Sequence, residues 1–295
     1  MFNNQSSIIN NQLILAVETS SRVGSIALAV GQKLLADTTF AGPTRHSEDL
    51  FPSIGSLLER FGKKPGDIEQ VYISAGPGSF TGLRIAVTLA KMMHFASGAK
   101  IVAVNSLDVT AANVLTPTQS PTLPAGRQVT THESPTTGHE HRVSSIERIA
   151  AVLDAKRNQF FIAVYEHRVR QKDVPDFRCA PASSIEHRAS SHESQTMSCG
   201  TWEKIIPDSV MSAEEFTAGF ASPDHPIWLL GDGLLYNKAK FNVPGIEFFD
   251  EKFWSPRASN VHLLGCQLAL AGQFANPLTL TPNYLLRPDI KLKPR

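Results

Sequence analysis

The sequence predicts an α/β fold built from two related lobes, each with a mixed β-sheet flanked by helices. The length of 295 residues corresponds to about two domains of average size. Three β-rich runs are followed by alternating helices and strands, an order typical of mixed sheets covered by helices. Residues 149–165 also repeat the plan of residues 14–30, so that Asp154 falls near the place of Glu18 at the end of a strand.

The first lobe is predicted to begin with an antiparallel meander and to continue with alternating helices and strands. The runs ILAVETS, GSIALAV and KLLADTTF are β-rich and are joined by short polar connections. Apolar residues recur at helical spacing over residues 47–61, with Ser47 as the N-cap. Next come a strand (VYISAG), a glycine-rich turn, a helix from Phe80 to about Ser97, a strand (KIVAVN) and a helix that opens near Ser106.

The second lobe is predicted to contain a strand that leads into a turn at 227–233 and a helix over 261–272. Two other stretches, residues 116–146 and residues 178–200, cannot contribute much to a hydrophobic core. The first, residues 116–146, has 11 Ser or Thr, four Pro and no aromatic residue, a composition typical of a disordered insertion. The predicted organisation is a flexible tail at 1–12, a first lobe at 13–115, an insertion at 116–146, and a second lobe at 147–295 with an insertion at 178–200.

Composition and charge exclude several classes of protein. The net charge of +1 provides no overall field to hold nucleic acid or an anionic membrane, so a polyanion would be met locally or through another protein. The three cysteines are odd in number and widely spaced, which excludes a disulfide framework and a C-x-x-C pair. No export signal and no run of about 18 apolar residues occurs, so we expect a cytoplasmic protein without a membrane span.

The strongest local motif is the glycine-rich turn in GPGSFTGLRI, which joins a strand to a helix. Gly76 and Gly78 permit a tight turn, and backbone N–H groups from Ser79 onward lie at a helix N-terminus. Such a turn can bind a phosphate, which makes Gly76, Gly78 and Ser79 candidate nucleotide or phosphate contacts. A strand-to-helix turn without a ligand explains the motif equally well, because it is neither a Walker A sequence nor G-x-G-x-x-G.

The helix that follows this turn is apolar around most of its circumference. Its polar residues Arg84, Thr88, Lys91 and His94 form one narrow stripe. A helix on a sheet needs an apolar stripe of only about 100°, so surface remains either for a partner or for the helix at 47–61. The predicted partner interface comprises Leu50, Ile54, Leu57, Phe80, Leu83, Arg84, Val87 and Ala90.

The sequence offers no catalytic residue and no metal site. His46 is followed by Glu48 and Asp49, but a second histidine on the same helix face would stand at position 50, which is Leu50. Glu18 could hold Mg²⁺–nucleotide or act as a base, as could Asp154, although solvated carboxylates are the commoner case at strand ends. Neither a Ser–His–Asp order nor a zinc-protease helix is present.

Five segments of the chain, between about Leu13 and Lys293, resemble the TsaB (YeaZ) family, a subunit of the bacterial machinery that makes threonylcarbamoyladenosine in tRNA. The most specific of them is GPGSFTGLRI. The resemblance implies the ASKHA fold, which is actin-like and ribonuclease H-like and has two duplicated lobes. The matching segments are ILAVETS, the helix that begins near His46, GPGSFTGLRI, VLDAKRNQFFIAVY and PNYLLRPDIKLK.

The resemblance also implies a non-catalytic subunit that binds TsaD, the enzyme that modifies the adenosine 3′ of the anticodon, together with the ATPase TsaE. The implied contact helices are 47–61 and 80–97, which would bind TsaD or, in its absence, a second copy of this chain. This chain would need no cofactor, with ATP or ADP and Mg²⁺ at the complex interface. Contact with tRNA would be made mainly through the partner subunits. For the basic C-terminal tail two alternatives remain: it is simply solvated, or it contacts RNA. That tail contains Arg287, Lys291, Lys293 and Arg295.

Two other functions remain as alternatives. The first is an independent phosphotransferase of the actin-like superfamily, with residues 76–79 and 231–233 as phosphate loops and Glu18 as its base. The second is a metallopeptidase of the glycoprotease type, for which the sequence lacks the ligands.

Overall fold

The computed structural model describes residues 9–41, 46–115, 146–169 and 200–286. Two five-stranded mixed sheets with flanking helices confirm the predicted α/β fold of two duplicated lobes. No helix in these four ranges is both long and apolar enough to cross a membrane.

The first lobe contains a sheet with the strand order β3-β2-β1-β4-β5. The first three strands form the predicted antiparallel meander, whereas β1, β4 and β5 are parallel. The strands are β1 (Leu13–Glu18), β2 (Val23–Val30), β3 (Lys33–Ala41), β4 (Gln70–Gly76) and β5 (Lys100–Asn105). The helices are α1 (His46–Arg60), α2 (Phe80–Ser97) and α3 (Ser106–Leu115).

The second lobe repeats this topology in the order β10-β9-β6-β7-β8. Again the first three strands along the chain are antiparallel neighbours, and the next two continue the sheet in parallel from the first strand. The strands are β6 (Arg148–Lys156), β7 (Gln159–Val169), β8 (Gly200–Ser212), β9 (Ile227–Leu230) and β10 (Ile246–Phe248). The helices are α4 (Ala213–Phe220) and α5 (Ala258–Leu270).

Strand β1 shows why this sequence forms a central strand. All six of its residues are buried, because helices cover both faces of the sheet. Alternate side chains enter different cores: Leu15 and Val17 pack with α1 and α2, while Ile14 and Ala16 pack with α5. A continuous apolar run is therefore required here rather than an alternating one.

The two lobes exchange helices across their boundary. Helix α3, which follows the first sheet in the chain, contributes Leu107 and Ala111 to the core of the second lobe. Helix α5 comes from the second half of the chain, yet Val261 and Ala269 lie in a core with Tyr72 of β4. The predicted ranges 13–115 and 147–295 thus follow the order of the chain, while the packing places α5 on the first sheet.

The ends of the predicted tail and insertions are better ordered than expected. Ile9 is fully buried in the core between the first sheet and α5, which corrects the flexible tail 1–12 over its last four residues. Ile146 packs against the second core, and Gly200 pairs with Val169 as the first residue of β8. The remainder of both insertions and the basic residues from 287 onward lie outside the described residues.

The interlobe cleft and the exposed faces of two helices

A cleft of about 790 Å³ separates the two lobes. The first lobe contributes the β1–β2 connection and the turn before α2, while the second contributes the β6–β7 turn and Asp232. Residues 283–286 complete the lining. The charged side chains on this lining are Arg22, Asp154, Lys156, Arg157 and Asp232.

The glycine-rich turn packs tightly against neighbouring backbone. A Cβ atom on Gly78 would lie 2.5 Å from the carbonyl oxygen of Ser20, and one on Gly76 would lie 2.5 Å from that of Asn283. The Ser79 N–H donates to the Ser20 carbonyl at 2.7 Å, and the Ser79 hydroxyl caps α2 by accepting from the Gly82 N–H. These contacts favour the alternative of a packed strand-to-helix turn.

This arrangement corrects the predicted phosphate contacts. Gly76 is buried and is not among the residues that line the cleft. Gly78 and Ser79 do line it, but the Ser79 N–H already has a carbonyl partner. The Ser79 N–H is therefore already occupied, and a phosphate at this turn would have to use the backbone of Phe80 and Thr81, which also line the cleft.

Glu18 lies below the cleft, where a ligand cannot reach it. Its side chain is fully buried and accepts hydrogen bonds from the Ser20 N–H at 2.6 Å, from the Ser20 hydroxyl at 2.5 Å and from the Ser74 hydroxyl. Burial raises the pKa of Glu18 above its ordinary value, while these hydrogen bonds act in the opposite direction. The carboxylate ties β1 to β4 and to the following turn.

The two carboxylates of the second lobe differ in their surroundings. Burial works to raise the pKa of Asp154, but the Lys156 ammonium at 2.6 Å, the Lys156 N–H and the Arg22 charge together lower it. Asp232 is only 8% exposed, and burial raises its pKa to about 6. Its Oδ2 accepts from the Arg22 N–H at 3.3 Å. The cleft therefore contains one well-paired carboxylate and one that costs free energy to ionise.

A second cluster of chemically reactive groups is buried away from the cleft. Cys266 Sγ lies 3.3 Å from His262 Nε2, which also contacts the Gly31 carbonyl. Burial raises the pKa of Cys266 to about 11 and lowers the pKa of His262. Both side chains are therefore neutral near pH 7, so this pair is no thiolate nucleophile.

Helices α1 and α2 expose several large apolar side chains. On α2, Phe80, Arg84 and Phe95 fall within about 60° of one another around the helix, and Met92 lies about 60° further round, so all four share one broad exposed side. Phe95 is 65% exposed and Met92 is 53% exposed. On the neighbouring helix, Phe51 is 49% exposed. We call Phe51, Phe80, Arg84, Met92 and Phe95 the docking face.

Comparisons with known proteins point to one family. Over 283 residues, the chain is 25% identical to the tRNA threonylcarbamoyladenosine biosynthesis protein TsaB of Bacillus subtilis (strain 168), covering 95% of this chain and 96% of that protein. The chain is thus similar to a TsaB protein along nearly the whole length of both chains. The Haemophilus influenzae protein of the same name is 23% identical over 169 residues, which cover 57% of this chain and 59% of that relative.

Comparison with solved structures concerns the fold. The structure of YeaZ from Pseudomonas aeruginosa superimposes with a TM-score of 0.62 at 19% identity, covering 93% of this chain and 100% of that one. Residues 41–128 match the model of the family described as TsaD, tRNA N6-adenosine threonylcarbamoyltransferase. The matched range contains α1, β4, α2, β5 and α3 of the first lobe.

The structure also corrects the contact residues predicted from the resemblance to the TsaB family. Six of the eight are buried in the first lobe, where α1 and α2 pack on the sheet, so they cannot contact a partner in this conformation. They are Leu50, Ile54, Leu57, Leu83, Val87 and Ala90. Only Phe80 and Arg84 are exposed. Met92 and Phe95 were missed, although they continue the stripe from Arg84 at helical spacing.

His46, for which the sequence offers no second histidine as a metal ligand, is the first residue of α1. Leu50, in the place of the second histidine, is buried in the core. The side chain of His46 lies outside the described residues. Within the described part of the chain, no three His, Cys, Asp or Glu side chains come together as metal ligands do.

Proposed function

We propose that this chain is a non-catalytic scaffold and activating subunit in the biosynthesis of threonylcarbamoyladenosine in tRNA, acting in the cytoplasm. It docks TsaD through the docking face and joins TsaE in the same complex. The names of its relatives in Bacillus subtilis and Haemophilus influenzae support the process. The geometry of α1 and α2 supports the mode of docking.

The docking face is the observation that carries the proposal. Four large apolar side chains are exposed on two neighbouring helices, and such a group of side chains is typical of a protein contact surface. Arg84 lies 5.2 Å from the centre of the Phe80 ring, so a cation accompanies the apolar side chains. Aromatic residues, methionine and arginine are the types enriched at protein interfaces.

A scaffold role is also supported by the position of Glu18. An independent phosphotransferase would need this carboxylate as a base beside its substrate. Glu18 is fully buried and bonded to Ser20 and Ser74, so it cannot fulfil that role. The alternative of a stand-alone phosphotransferase thus loses the residue on which it depended.

In this proposal the chain requires no cofactor of its own. Two of the residues predicted to contact phosphate are less available than expected, because Gly76 is buried and the Ser79 N–H is bonded to Ser20. ATP or ADP and Mg²⁺ would act at the complex interface, and tRNA would be bound mainly by the other subunits. Without TsaD, the docking face would pair with a second copy of this chain.

Reconstitution tests the role directly. Purified TsaD, TsaE and an adenylate-forming enzyme are supplied with ATP, threonine, bicarbonate and unmodified tRNA, with or without this chain, and the modified nucleoside is quantified by mass spectrometry. We expect modification only with this chain present, and no ATP turnover by this chain alone. Equal modification without it would refute the proposed function.

A matched pair of variants tests the docking face. Phe95→Asp places a charge in the contact and should weaken binding to TsaD at least about 30-fold, measured by titration calorimetry. Leu235→Asp alters an exposed leucine of the second lobe and should bind like the wild type. Equal affinity of both variants would contradict the assigned surface. Leu83→Asp is uninformative here, because Leu83 is buried and its substitution unfolds the lobe.

A further inference from the structure

Two of the polar clusters that join the lobes differ in how tightly they are bonded. The first, which we call the hinge cluster, lies where α3 leaves β5. Lys204 donates to Asp108 at 2.7 Å and to Asp208 at 2.6 Å, and the Tyr165 hydroxyl donates to Asp108 at 2.6 Å. Asn105, the last residue of β5, also donates to Asp208. These bonds connect the end of the first sheet and α3 to β7 and β8 of the second.

The second cluster crosses the cleft through a single residue of the first lobe, Arg22. Its N–H donates to Asp232 at 3.3 Å, and its guanidinium lies 3.8 Å from Asp154. The same guanidinium stands 4.5 Å from the centre of the Tyr236 ring. Three contacts of different kinds thus attach one side of the β1–β2 connection to the second lobe.

The distances show that the Arg22 contacts are easier to break than the hinge cluster. Asp154 has a closer partner within its own lobe, the Lys156 ammonium at 2.6 Å, and therefore remains paired when Arg22 leaves. The Arg22 side chain is 36% exposed, so water can replace its partners at little cost. The hinge bonds are about 1 Å shorter than the Arg22–Asp154 contact, and they involve β5, α3, β7 and β8 rather than the β1–β2 connection.

We propose that Arg22 is a latch that holds the interlobe cleft closed, with the lobes opening about the hinge cluster. In the latched state the guanidinium occupies the space between Asp154 and Tyr236 on the cleft wall. Any ligand that enters this part of the cleft must first replace these contacts. The proposal concerns the motion of this chain alone and does not depend on its role in tRNA modification.

Single-molecule energy transfer between two dyes measures the opening. Dyes are attached to Thr88→Cys on α2 and Ala239→Cys beside the β6–β7 turn, both at exposed positions. Cys179 and Cys199 are replaced by serine, while Cys266 is buried and stays unlabelled. Measurements on single molecules are made at concentrations too low for self-association. We expect Arg22→Ala to shift the transfer efficiency to lower values, because the lobes separate.

Two further variants make the result decisive. Tyr236→Ala removes one of the three contacts from a residue that is 72% exposed, so it leaves the fold intact and should produce a smaller shift in the same direction. Arg168→Ala is the matched control, because Arg168 pairs at 2.8 Å with Glu203 within the second sheet. A transfer distribution of Arg22→Ala equal to that of the wild type would overturn the latch. A shift of equal size in Arg168→Ala would do the same.

Discussion

The two lobes share a sheet topology and a glycine turn but differ in the helices that follow. In each lobe the fourth strand along the chain leads into a turn with two glycines, at residues 76–78 and 231–233. Gly78 packs on Ser20 in the turn after β1, whereas Gly231 packs on Val152 within β6. The first lobe then forms the 18-residue helix α2, whereas the second forms short 3₁₀ turns at 232–234 and 238–241. The sheet and its turn are thus the repeated unit, and the helical surface is where the lobes diverge.

Local sequence explains this divergence. Residues 80–97 contain no proline and only one glycine, Gly82 in the first turn, so nothing interrupts the helix. The corresponding stretch of the second lobe reads GLLYNKAKFNVPG, where Pro244 and Gly245 prevent continuation. The exposed apolar side chains of the docking face lie on α1 and α2 of the first lobe. In our proposals, the first lobe therefore docks the partner, while the contacts of Arg22 with the second lobe hold the cleft closed.

The largest expected effect tests whether the glycine turns are equivalent. In Gly78→Ala the new Cβ would lie 2.5 Å from the Ser20 carbonyl oxygen, and in Gly231→Ala it would lie 2.0 Å from that of Val152. Because backbone would have to move in both cases, each variant should lower the free energy of unfolding by more than about 4 kcal/mol. Urea denaturation followed by circular dichroism measures both.

Gly55→Ala serves as the control for these two variants. Gly55 lies inside α1, and a Cβ atom added there would meet no other atom within 4 Å, so alanine should raise the free energy of unfolding by about 0.5–1 kcal/mol. If Gly231→Ala changes the free energy of unfolding by no more than Gly55→Ala does, the two turns do not play the same part in packing.

The next largest effect concerns Asp232, whose place in the first lobe is taken by the uncharged Pro77. Because the pKa of Asp232 is raised to about 6 in the folded state, its stabilising contribution is present when it is protonated at low pH and is lost as the pH rises through about 6. Asp232→Asn should therefore raise the free energy of unfolding at pH 7 by up to about 3 kcal/mol and should flatten its pH dependence between pH 4 and 6.

Asp154→Asn should change stability in the opposite direction. The pKa of Asp154 is lowered, so its contribution is present at neutral pH and disappears as the carboxylate is protonated in acid. Urea denaturation at a series of pH values measures both variants. An Asp232→Asn protein less stable than the wild type at pH 7 would show that the ionised carboxylate stabilises the cleft.

The smallest effect concerns the hairpin turns at the cleft. In the second lobe, Lys156, Arg157 and Asn158 all have positive φ, as a bulge followed by a type I′ turn requires. No residue of the corresponding connection at 19–22 does so. Asn158→Gly should raise the free energy of unfolding by up to about 1 kcal/mol, because glycine avoids the cost of the left-handed conformation and loses only part of that gain to its larger conformational entropy when unfolded.

Asn158 also accepts a hydrogen bond from the Lys240 ammonium at 2.5 Å, which glycine removes. Lys240→Ala removes that exposed bond together with the Lys240 bond to Asn237 at 2.8 Å, and should change stability by less than about 0.5 kcal/mol. If Asn158→Gly is instead more destabilising than Lys240→Ala, relief of backbone strain at this position does not stabilise the turn. Thermal denaturation in parallel with urea denaturation compares the two variants.

The docking face shows what the helical periodicity of the sequence can predict and what it cannot. The alternation of apolar and polar residues predicted the helix over Phe80 to Ser97, and the structure places α2 at those bounds. The pattern did not indicate which apolar side chains would be covered. Leu83 and Val87 face the sheet, whereas Met92 and Phe95 are exposed, because the packing of α1 covers only part of the circumference.

The amino-acid sequence by itself determined the order of strands and helices, the repeated lobe and the glycine turn, because these depend on propensities and spacings within a few residues. Tertiary structure alone decided that Glu18 is sealed beneath the cleft, that α5 packs on the first sheet and that Arg22 contacts the second lobe. Arg22 and Asp232 are 210 residues apart in the chain. Contacts over such separations depend on how the sheets pack together, and no local pattern in the sequence records that packing.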